Sequence, residues 1–185
     1  MGMNKLKKIL VLLLCASFIM LHCIDAKADG SGEYEVKAAF IHNIAKFVAW
    51  PATTGTAGSL RLCILGQNPF GRSLDALQGQ AIGGKVWEIT PANLQTNLHS
   101  CNVLFIAASQ SANLGEILNK TRGDAVLTIG DTYGYAEQGV IVNFYLEQGK
   151  VHFEINNDAA ELAGLKFSSQ LLKLARIVPD TGGAK

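Results

Sequence analysis

Residues 60–71 read LRLCILGQNPFG, a mostly apolar run followed directly by a glycine turn and a helix start. The run is brief and rich in aliphatic side chains, a pattern that predicts a buried strand. Asn68 as the N-cap and Pro69 at the first helical position predict a helix that extends to about Leu77. A buried strand that leads straight into a helix is typical of α/β proteins.

The rest of the chain alternates in the same way between apolar runs and short helical patterns. This order predicts an α/β fold, a three-layer sandwich with a mixed sheet and helices on both faces. The sheet is expected to be partly parallel, with a C-terminal antiparallel hairpin around Glu147-Gln148-Gly149. The further predicted elements are strands at 85–90, 102–107, 125–129, 139–146 and 150–155, and helices at 112–120 and 157–178, the last with a break at Gly164.

An N-terminal helix is predicted at residues 33–50, because Pro51 disfavours the helical conformation for the residue before it. Its apolar arc is about 200° wide, whereas a surface helix usually has an apolar stripe little wider than 100°. The helix is therefore expected to pack on two sides. The second side faces either the C-terminal helix or a dimer or partner surface, for which Phe40, Ile44 and Phe47 are the candidate residues.

The N-terminus has the features of an export signal. Lysines precede an apolar run at residues 9–21, and Ala26-Lys27-Ala28 fits a cleavage site. Residues 1–28 are predicted to be a cleaved signal peptide, which places the mature chain in the periplasm. The run is shorter than the roughly 20 residues that span a bilayer, so no direct membrane insertion is expected after cleavage. Residues 29–178 are predicted to form a single domain, and residues 179–185 a disordered tail.

The composition limits the classes of partner and cofactor. The chain carries 16 Lys and Arg residues and 15 Asp and Glu residues, without a basic cluster. This balance gives no electrostatic reason to bind nucleic acid or anionic lipid. His42, His99 and His152 do not lie at metal-ligand spacing from one another or from a cysteine, so neither a metal site nor a cofactor is predicted.

Two of the four cysteines, Cys63 and Cys101, lie outside the predicted signal peptide. Both flank predicted core strands, and export would place them in an oxidising compartment. We predict a disulfide between neighbouring strands, with two buried free thiols as the alternative. The chain has no C-x-x-C motif, which argues against a redox-catalytic role.

Residues 66–73 (GQNPFGRS) have the spacing of a phosphate-binding loop, with arginine in place of lysine. Pro69 removes a backbone N–H from the middle of the anion cradle, so NTP hydrolysis is not expected. Arg72 could still help the loop to hold a small anion. Asp131 follows the predicted strand at 125–129 and is either a catalytic candidate or a turn residue. Because no catalytic motif is recognisable, we predict that the protein is not an enzyme and name no catalytic residue.

Several segments together resemble the YfiR-like family of small exported bacterial proteins. The resemblance extends over nearly the whole chain after the predicted signal peptide, and it depends on the order and spacing of the segments. They are AAF (38–40), KFVAWP (46–51), CILG (63–66), NPFG (68–71), CNVLFI (101–106), LTIGD (127–131), VHFEIN (151–156), AGLKFSS (163–169) and LLKLA (171–175).

The resemblance implies a periplasmic protein that binds the periplasmic sensing domain of an inner-membrane diguanylate cyclase and represses it. Such a protein lowers cyclic-di-GMP signalling and thereby regulates biofilm formation. The resemblance also implies a homodimer and a fold that depends on a disulfide, here between Cys63 and Cys101. Some relatives carry a second cysteine pair near the terminal hairpin, and this chain does not.

A periplasmic small-molecule sensor without a cyclase partner is the alternative function. A polar patch, Lys166-Phe167-Ser168-Ser169, follows Gly164 in a predicted helix that is otherwise apolar. Arg72, Lys166 and Ser168 are the candidate ligand-binding residues. The competing interpretation of the patch is a helix N-cap at Ser168 beside a solvated lysine.

Overall fold

The structure is a computed structural model that describes residues 30–51 and 58–181. The predicted signal peptide, residues 52–57 and the last four residues of the predicted tail lie outside the described residues. Thr181, also in that predicted tail, donates hydrogen bonds from its backbone N–H and its hydroxyl to the carbonyl oxygen of Glu137, at 2.8 Å each.

The described part of the chain alternates strands with short helices. The strands are β1 (Val48–Ala49), β2 (Ser59–Leu65), β3 (Ala81–Ile82), β4 (Lys85–Ala92), β5 (Val103–Ile106), β6 (Leu127–Gly130), β7 (Val142–Glu147), β8 (Lys150–Asn156), β9 (Lys166–Phe167) and β10 (Arg176–Val178). The α-helices are α1 (Gly30–Lys46), α2 (Leu114–Thr121), α3 (Asn157–Leu162) and α4 (Ser169–Leu172), and short 3-10 helices span Leu98–Ser100 and Ala108–Asn113.

Eight strands form one mixed sheet in the order β10-β8-β7-β6-β5-β2-β4-β3. The strands from β4 through β2, β5 and β6 to β7 are all parallel to one another. Strand β8 is antiparallel to β7, β3 is antiparallel to β4, and β10 is parallel to β8. Strands β1 and β9 pair separately as an antiparallel ribbon. The predicted mixed sheet is therefore confirmed.

The sheet has a hydrophobic core on each face. Along β2, Leu62 and Ile64 belong to the core that also contains Ile41 and Ile44 of α1. Cys63 and Leu65 belong to the other core, which contains Leu114 and Ile117 of α2. Because successive side chains of a strand point to opposite faces, α1 covers one face and α2 the other. We call these the α1 face and the α2 face, and together they confirm the predicted three layers.

The β7–β8 hairpin is confirmed. Glu147 pairs with Lys150, which leaves Gln148 and Gly149 as a two-residue turn. Their φ angles are 51° and 74°. Positive φ at both turn positions matches the twist of the flanking strands, and it explains why a glycine stands in the second position.

The helix predicted from Asn68 to Leu77 is wrong. The segment 71–79 instead forms a series of turns. Ser73 and Leu77 donate backbone hydrogen bonds to the carbonyl oxygens three residues earlier, and Gly71 takes a φ of 53°. A left-handed residue in the first turn interrupts helical hydrogen bonding, so the N-cap signal at Asn68 produces only a local turn.

The first helix ends at Lys46, four residues before the predicted end at Trp50. Val48 and Ala49 form β1 instead, and they pair with Phe167 and Lys166 of β9. The ribbon satisfies backbone groups that a longer helix would have used internally. Within the described ranges, no helix combines the length and apolar character needed to cross a membrane.

The helical region predicted at residues 157–178 is correct at its start, at its break and in α4, but its other parts are not helical. Gly164, with a φ of 68°, follows the end of α3 as the break predicts. The chain then forms β9, α4 and β10. Strand β10 lies at the sheet edge, where Arg176 donates hydrogen bonds from Nε and an Nη to the buried carboxylate of Glu154. A buried carboxylate needs such a partner, and this contact favours a strand over a continued helix.

Candidate functional site

The neighbouring strands β2 and β5 meet at a topological switch point. The chain leaves β2 toward β3 and β4, and it buries Phe70, Leu74 and Leu77 on the α1 face. The chain leaves β5 in the other direction, toward β6, and passes through α2 on the α2 face. The two loops diverge and leave a crevice at the carboxyl ends of the strands. Open α/β sheets bind their ligands in crevices of this kind.

A pocket of about 220 Å³ lies at this crevice, and we call it the switch-point pocket. Gln67 and Asn68 line it from the loop after β2, and Ser109 lines it from the loop after β5. Tyr34 of α1 and Asp131, which follows β6, also line the pocket. Four separate segments of the chain therefore converge on one small site, which Pro69, Ala107 and Ala108 also line.

Gly66 is required just after the end of β2, where the loops that follow β2 and β5 still lie close together. Its φ is 97°, and a Cβ at this position would lie 2.6 Å from Ser109 Oγ and 2.8 Å from Gln110 Cγ. The next residue, Gln67, donates its backbone N–H to Ser109 Oγ at 2.9 Å. The glycine allows the close approach, and the hydrogen bond then links one wall of the pocket to the other.

Asp131 is held by a buried ion pair. Its Oδ2 atom accepts hydrogen bonds from the Tyr34 hydroxyl at 2.9 Å and from Lys37 Nζ at 2.8 Å. Lys37 also pairs with Glu33, one helical turn earlier. The side chains of Lys37 and Asp131 are only 4% and 6% exposed. Asp131 is therefore a tertiary anchor for α1 as well as part of the pocket.

The ion pair changes the acid–base behaviour of both α1 residues. Burial alone would lower the pKa of Lys37, but the hydrogen bonds to Asp131 and Glu33 outweigh burial and raise the pKa above its ordinary value. Burial, followed by the charge of Asp131, raises the pKa of Tyr34 to about 12. At neutral pH the site therefore contains an ammonium, a neutral phenol and a carboxylate.

Sequence reasoning identified Asp131 but missed Tyr34 and Lys37. Lys37 lies four residues after Glu33 and three after Tyr34, so both side chains are on its side of α1, and this spacing is visible in the sequence. Asp131 is 94 residues from Lys37, so the contact itself depends on the fold.

The three predicted ligand-binding residues are not brought together. Arg72 is 96% exposed and pairs with Asp75 at 3.3 Å. Arg72 lies two residues after Phe70, whose ring contacts Tyr34 near the start of α1. Lys166 lies on β9, which pairs with β1, the strand that follows α1. A helix of 17 residues is about 25 Å long, so one small ligand could not reach both ends. Ser168 Oγ accepts a hydrogen bond from the Leu171 N–H, as the N-cap interpretation predicts.

The predicted interface residues of the first helix have different environments. Ile44 is fully buried on the α1 face, and Phe40 packs against Phe144 and Phe153. Phe47 is 41% exposed. Of these three predicted residues, Phe47 is therefore the one that offers a large apolar surface.

Cys63 and Cys101 form a disulfide, with their Cα atoms 5.8 Å apart. Both residues are buried in the core of the α2 face. Cys63 lies within β2, and Cys101 lies just before β5, the parallel neighbour of β2. The bridge therefore connects the two strands whose loops form the switch-point pocket, and the prediction of a disulfide is confirmed.

Within the described residues, no group of three His, Cys, Asp or Glu side chains is placed to hold a metal ion. His42, which lies on α1, is buried. Its Nδ1 atom accepts a hydrogen bond from the Trp87 indole N–H at 2.8 Å, which links α1 to β4.

Lowering the pH should destabilise the protein through His42. Burial, with a further contribution from the charge of Lys46, lowers the pKa of His42 below its ordinary value of 6.5. Below pH 6.5 the unfolded chain therefore binds a proton more readily than the folded chain, and stability falls as the pH decreases. One such proton contributes at most about 1.4 kcal/mol per pH unit.

Thermal melting across this pH range measures the effect. The His42→Gln variant should lose part of the pH dependence, because glutamine keeps an acceptor for Trp87 but does not titrate. His152→Gln replaces a half-exposed histidine on β8 and serves as the control. An unchanged pH dependence in His42→Gln would contradict the assignment.

The described fold can be compared with known proteins. Residues 34–176 match the model of the family described as YfiR/HmsC-like. A solved structure, described as a conserved domain protein from Vibrio cholerae O1 biovar eltor str. N16961, has a TM-score of 0.50 and 14% sequence identity. The match covers 78% of this chain and 59% of that chain, and at this identity it shows the fold alone. No match was found among curated proteins.

The family match includes both cysteines of the disulfide, the switch-point pocket and the sheet from β2 to β8. It therefore covers most of the chain. The chain belongs to the YfiR/HmsC-like family.

Proposed function

We propose that this protein acts in the periplasm as a regulator of an inner-membrane diguanylate cyclase. In this proposal it binds the periplasmic sensing domain of the cyclase and represses it, which lowers cyclic-di-GMP signalling. The observation that carries the proposal is the family match over residues 34–176, because proteins of this family are regulators rather than enzymes. The predicted signal peptide supports export to the periplasm.

The exposed side of α1 is the surface that we propose for the cyclase or for a second copy of the chain. Val36 and Phe47 are 44% and 41% exposed. Val36 lies within α1, and Phe47 directly follows Lys46, its last residue. Ile41, on the far side of the helix from Val36, packs into the core, as does Ile44. A helix with apolar residues on both sides is typical of an element with a second partner.

Capture from crosslinked membranes tests this function. The exported protein is the bait, and captured proteins are identified by mass spectrometry. We expect a diguanylate cyclase among them, and we expect Phe47→Glu to reduce its capture by about thirty-fold, the effect of losing a contact worth about 2 kcal/mol. The reason is that a carboxylate in an apolar interface must be desolvated without a partner.

Val86→Glu is the matched control, because Val86 is 44% exposed but precedes Trp87 of the α1-face core on β4 and therefore points to the α2 face, away from α1. This variant should capture the cyclase as well as the unmodified protein does. Light scattering on both variants separates a lost homodimer from a lost cyclase contact. If folded bait captures no diguanylate cyclase, the proposed function is wrong. If Phe47→Glu and Val86→Glu capture equally, only the proposed surface is wrong.

A further inference from the structure

We propose that the switch-point pocket binds a small polar molecule with a protonated amine. The pocket volume of about 220 Å³ is below the roughly 300–1,000 Å³ of pockets that hold drug-sized ligands. This space suits a compact ligand rather than a nucleotide or a peptide. The inference does not depend on the cyclase partner, because it follows from the lining of the pocket alone.

The charge of the site favours a cation. The cluster contains two carboxylates, of the partly exposed Glu33 and the buried Asp131, and one ammonium, of the buried Lys37. Its net charge is therefore −1 at neutral pH, since Tyr34 remains a neutral phenol. A ligand ammonium would neutralise this remaining charge in a partly buried position, where a pair of charges interacts more strongly than in water. Arg72, the nearby candidate for an anion, is paired with Asp75 on the surface and does not line the pocket.

Asp131 supplies the acceptor for the amine. Both of its hydrogen bonds from α1 go to Oδ2. Among the described residues none donates to Oδ1, and Asp131 lines the pocket, so Oδ1 can accept a hydrogen bond from a ligand. A charge-assisted hydrogen bond of this type is stronger than one between neutral groups.

The walls of the pocket suit hydroxyl groups on the same ligand. Ser109 Oγ accepts a bond from the Gln67 N–H, and its own hydroxyl proton remains available to a ligand. Asn68 Oδ1 accepts from the Phe70 N–H, which leaves the Asn68 amide nitrogen as a donor. These groups lie at the loop ends that the disulfide-linked strands β2 and β5 hold in place. The pocket therefore offers fixed polar groups around a single acidic acceptor.

A matched series of small molecules tests the charge preference. The probes are glycerol, serinol, in which an amine replaces the central hydroxyl of glycerol, and glycerate, which carries a carboxylate. Affinities are measured by nuclear magnetic resonance titration of the isotope-labelled exported protein. We expect serinol to bind at least about tenfold more tightly than glycerol, with no binding of glycerate. The amide signals of Gly66, Ser109 and Asp131 should move the most.

Two variants locate the site. Asp131→Asn should remove the preference for serinol over glycerol, and Ala108→Phe should abolish binding by filling the pocket without touching the ion pair. Asp75→Asn removes an exposed acidic charge outside the pocket and should bind serinol normally. If Asp131→Asn does not fold, Ala108→Phe and the probe series decide. Absence of serinol binding, equal affinity for serinol and glycerate, or unchanged binding by folded Ala108→Phe would overturn the proposal.

Discussion

Replacing Cys63 and Cys101 together by alanine should lower the free energy of unfolding by about 4 kcal/mol. The two cysteines are 38 residues apart, so the bridge removes a large amount of conformational freedom from the unfolded chain. Both side chains are buried in the core of the α2 face, and removing both avoids an unpaired thiol there. Equilibrium denaturation of the oxidised protein and the double variant measures the difference.

Reduction provides an internal control for this prediction. A reducing agent should shift the unmodified protein to the stability of the double variant, and it should leave the double variant unchanged. If the two oxidised proteins unfold at the same denaturant concentration, the bridge does not stabilise the fold. The single variants are less informative, because each leaves a free thiol that can form other disulfides.

A loss of this size matters because small domains are only about 5–15 kcal/mol more stable than their unfolded chains. The bridge joins β2 to the start of β5, and the loops at the far ends of these strands form the switch-point pocket. Reduction should therefore weaken the strand pair that supports the pocket. A compartment that keeps the cysteines oxidised would maintain both the fold and the site.

The parts of the fold that were predicted correctly are those with strong local signals. Strand β5 is a continuous apolar run, β2 is a mostly apolar one, and the β7–β8 hairpin has a glycine turn between two strand patterns. These signals depend on burial and on local backbone preference, which a sequence displays directly. The disulfide followed from the presence of two cysteines beside core strands in a chain that is predicted to be exported.

The parts that were predicted wrongly depend on tertiary contacts. Leu74 and Leu77 have helical spacing, but they reach the α1 face from the two ends of a single turn, in which the Leu77 N–H donates to the Leu74 carbonyl oxygen. Residues 166–178 contain enough apolar residues for a helix. Two short stretches of this segment nevertheless form the strands β9 and β10, because they pair with β1 and β8. Helix propensity is a weak preference of less than about 1 kcal/mol per residue, and such pairing can override it.

The candidate site was predicted only in part for the same reason. Asp131 was noted because it follows a buried strand, where α/β proteins often place functional side chains. Its partners Tyr34 and Lys37 lie on the first helix. They contact Asp131 because α1 packs across the sheet. Residues placed together by topology cannot be identified from spacing along the chain.

Replacing Lys37 by methionine should destabilise the protein by about 3–5 kcal/mol. Methionine preserves most of the side-chain volume, so the main effect is to leave Asp131 buried without its cationic partner. The pKa of Lys37 is raised in the folded protein, so its contribution is complete at neutral pH and is lost only when the pH rises above the ordinary value of 10.5. Chemical denaturation at neutral pH measures the change.

A comparison with an exposed ion pair separates the effect of burial on stability from the effect of losing a charge. Lys120 pairs with Glu116 on the surface of α2 with the same i, i+4 spacing that joins Glu33 to Lys37. Lys120→Met should therefore cost only about 0.5 kcal/mol. Adding Asp131→Asn to Lys37→Met should recover part of the lost stability, because a neutral amide is less costly to bury than an unpaired carboxylate. If Lys37→Met costs no more than Lys120→Met, the buried ion pair does not anchor α1 to the sheet.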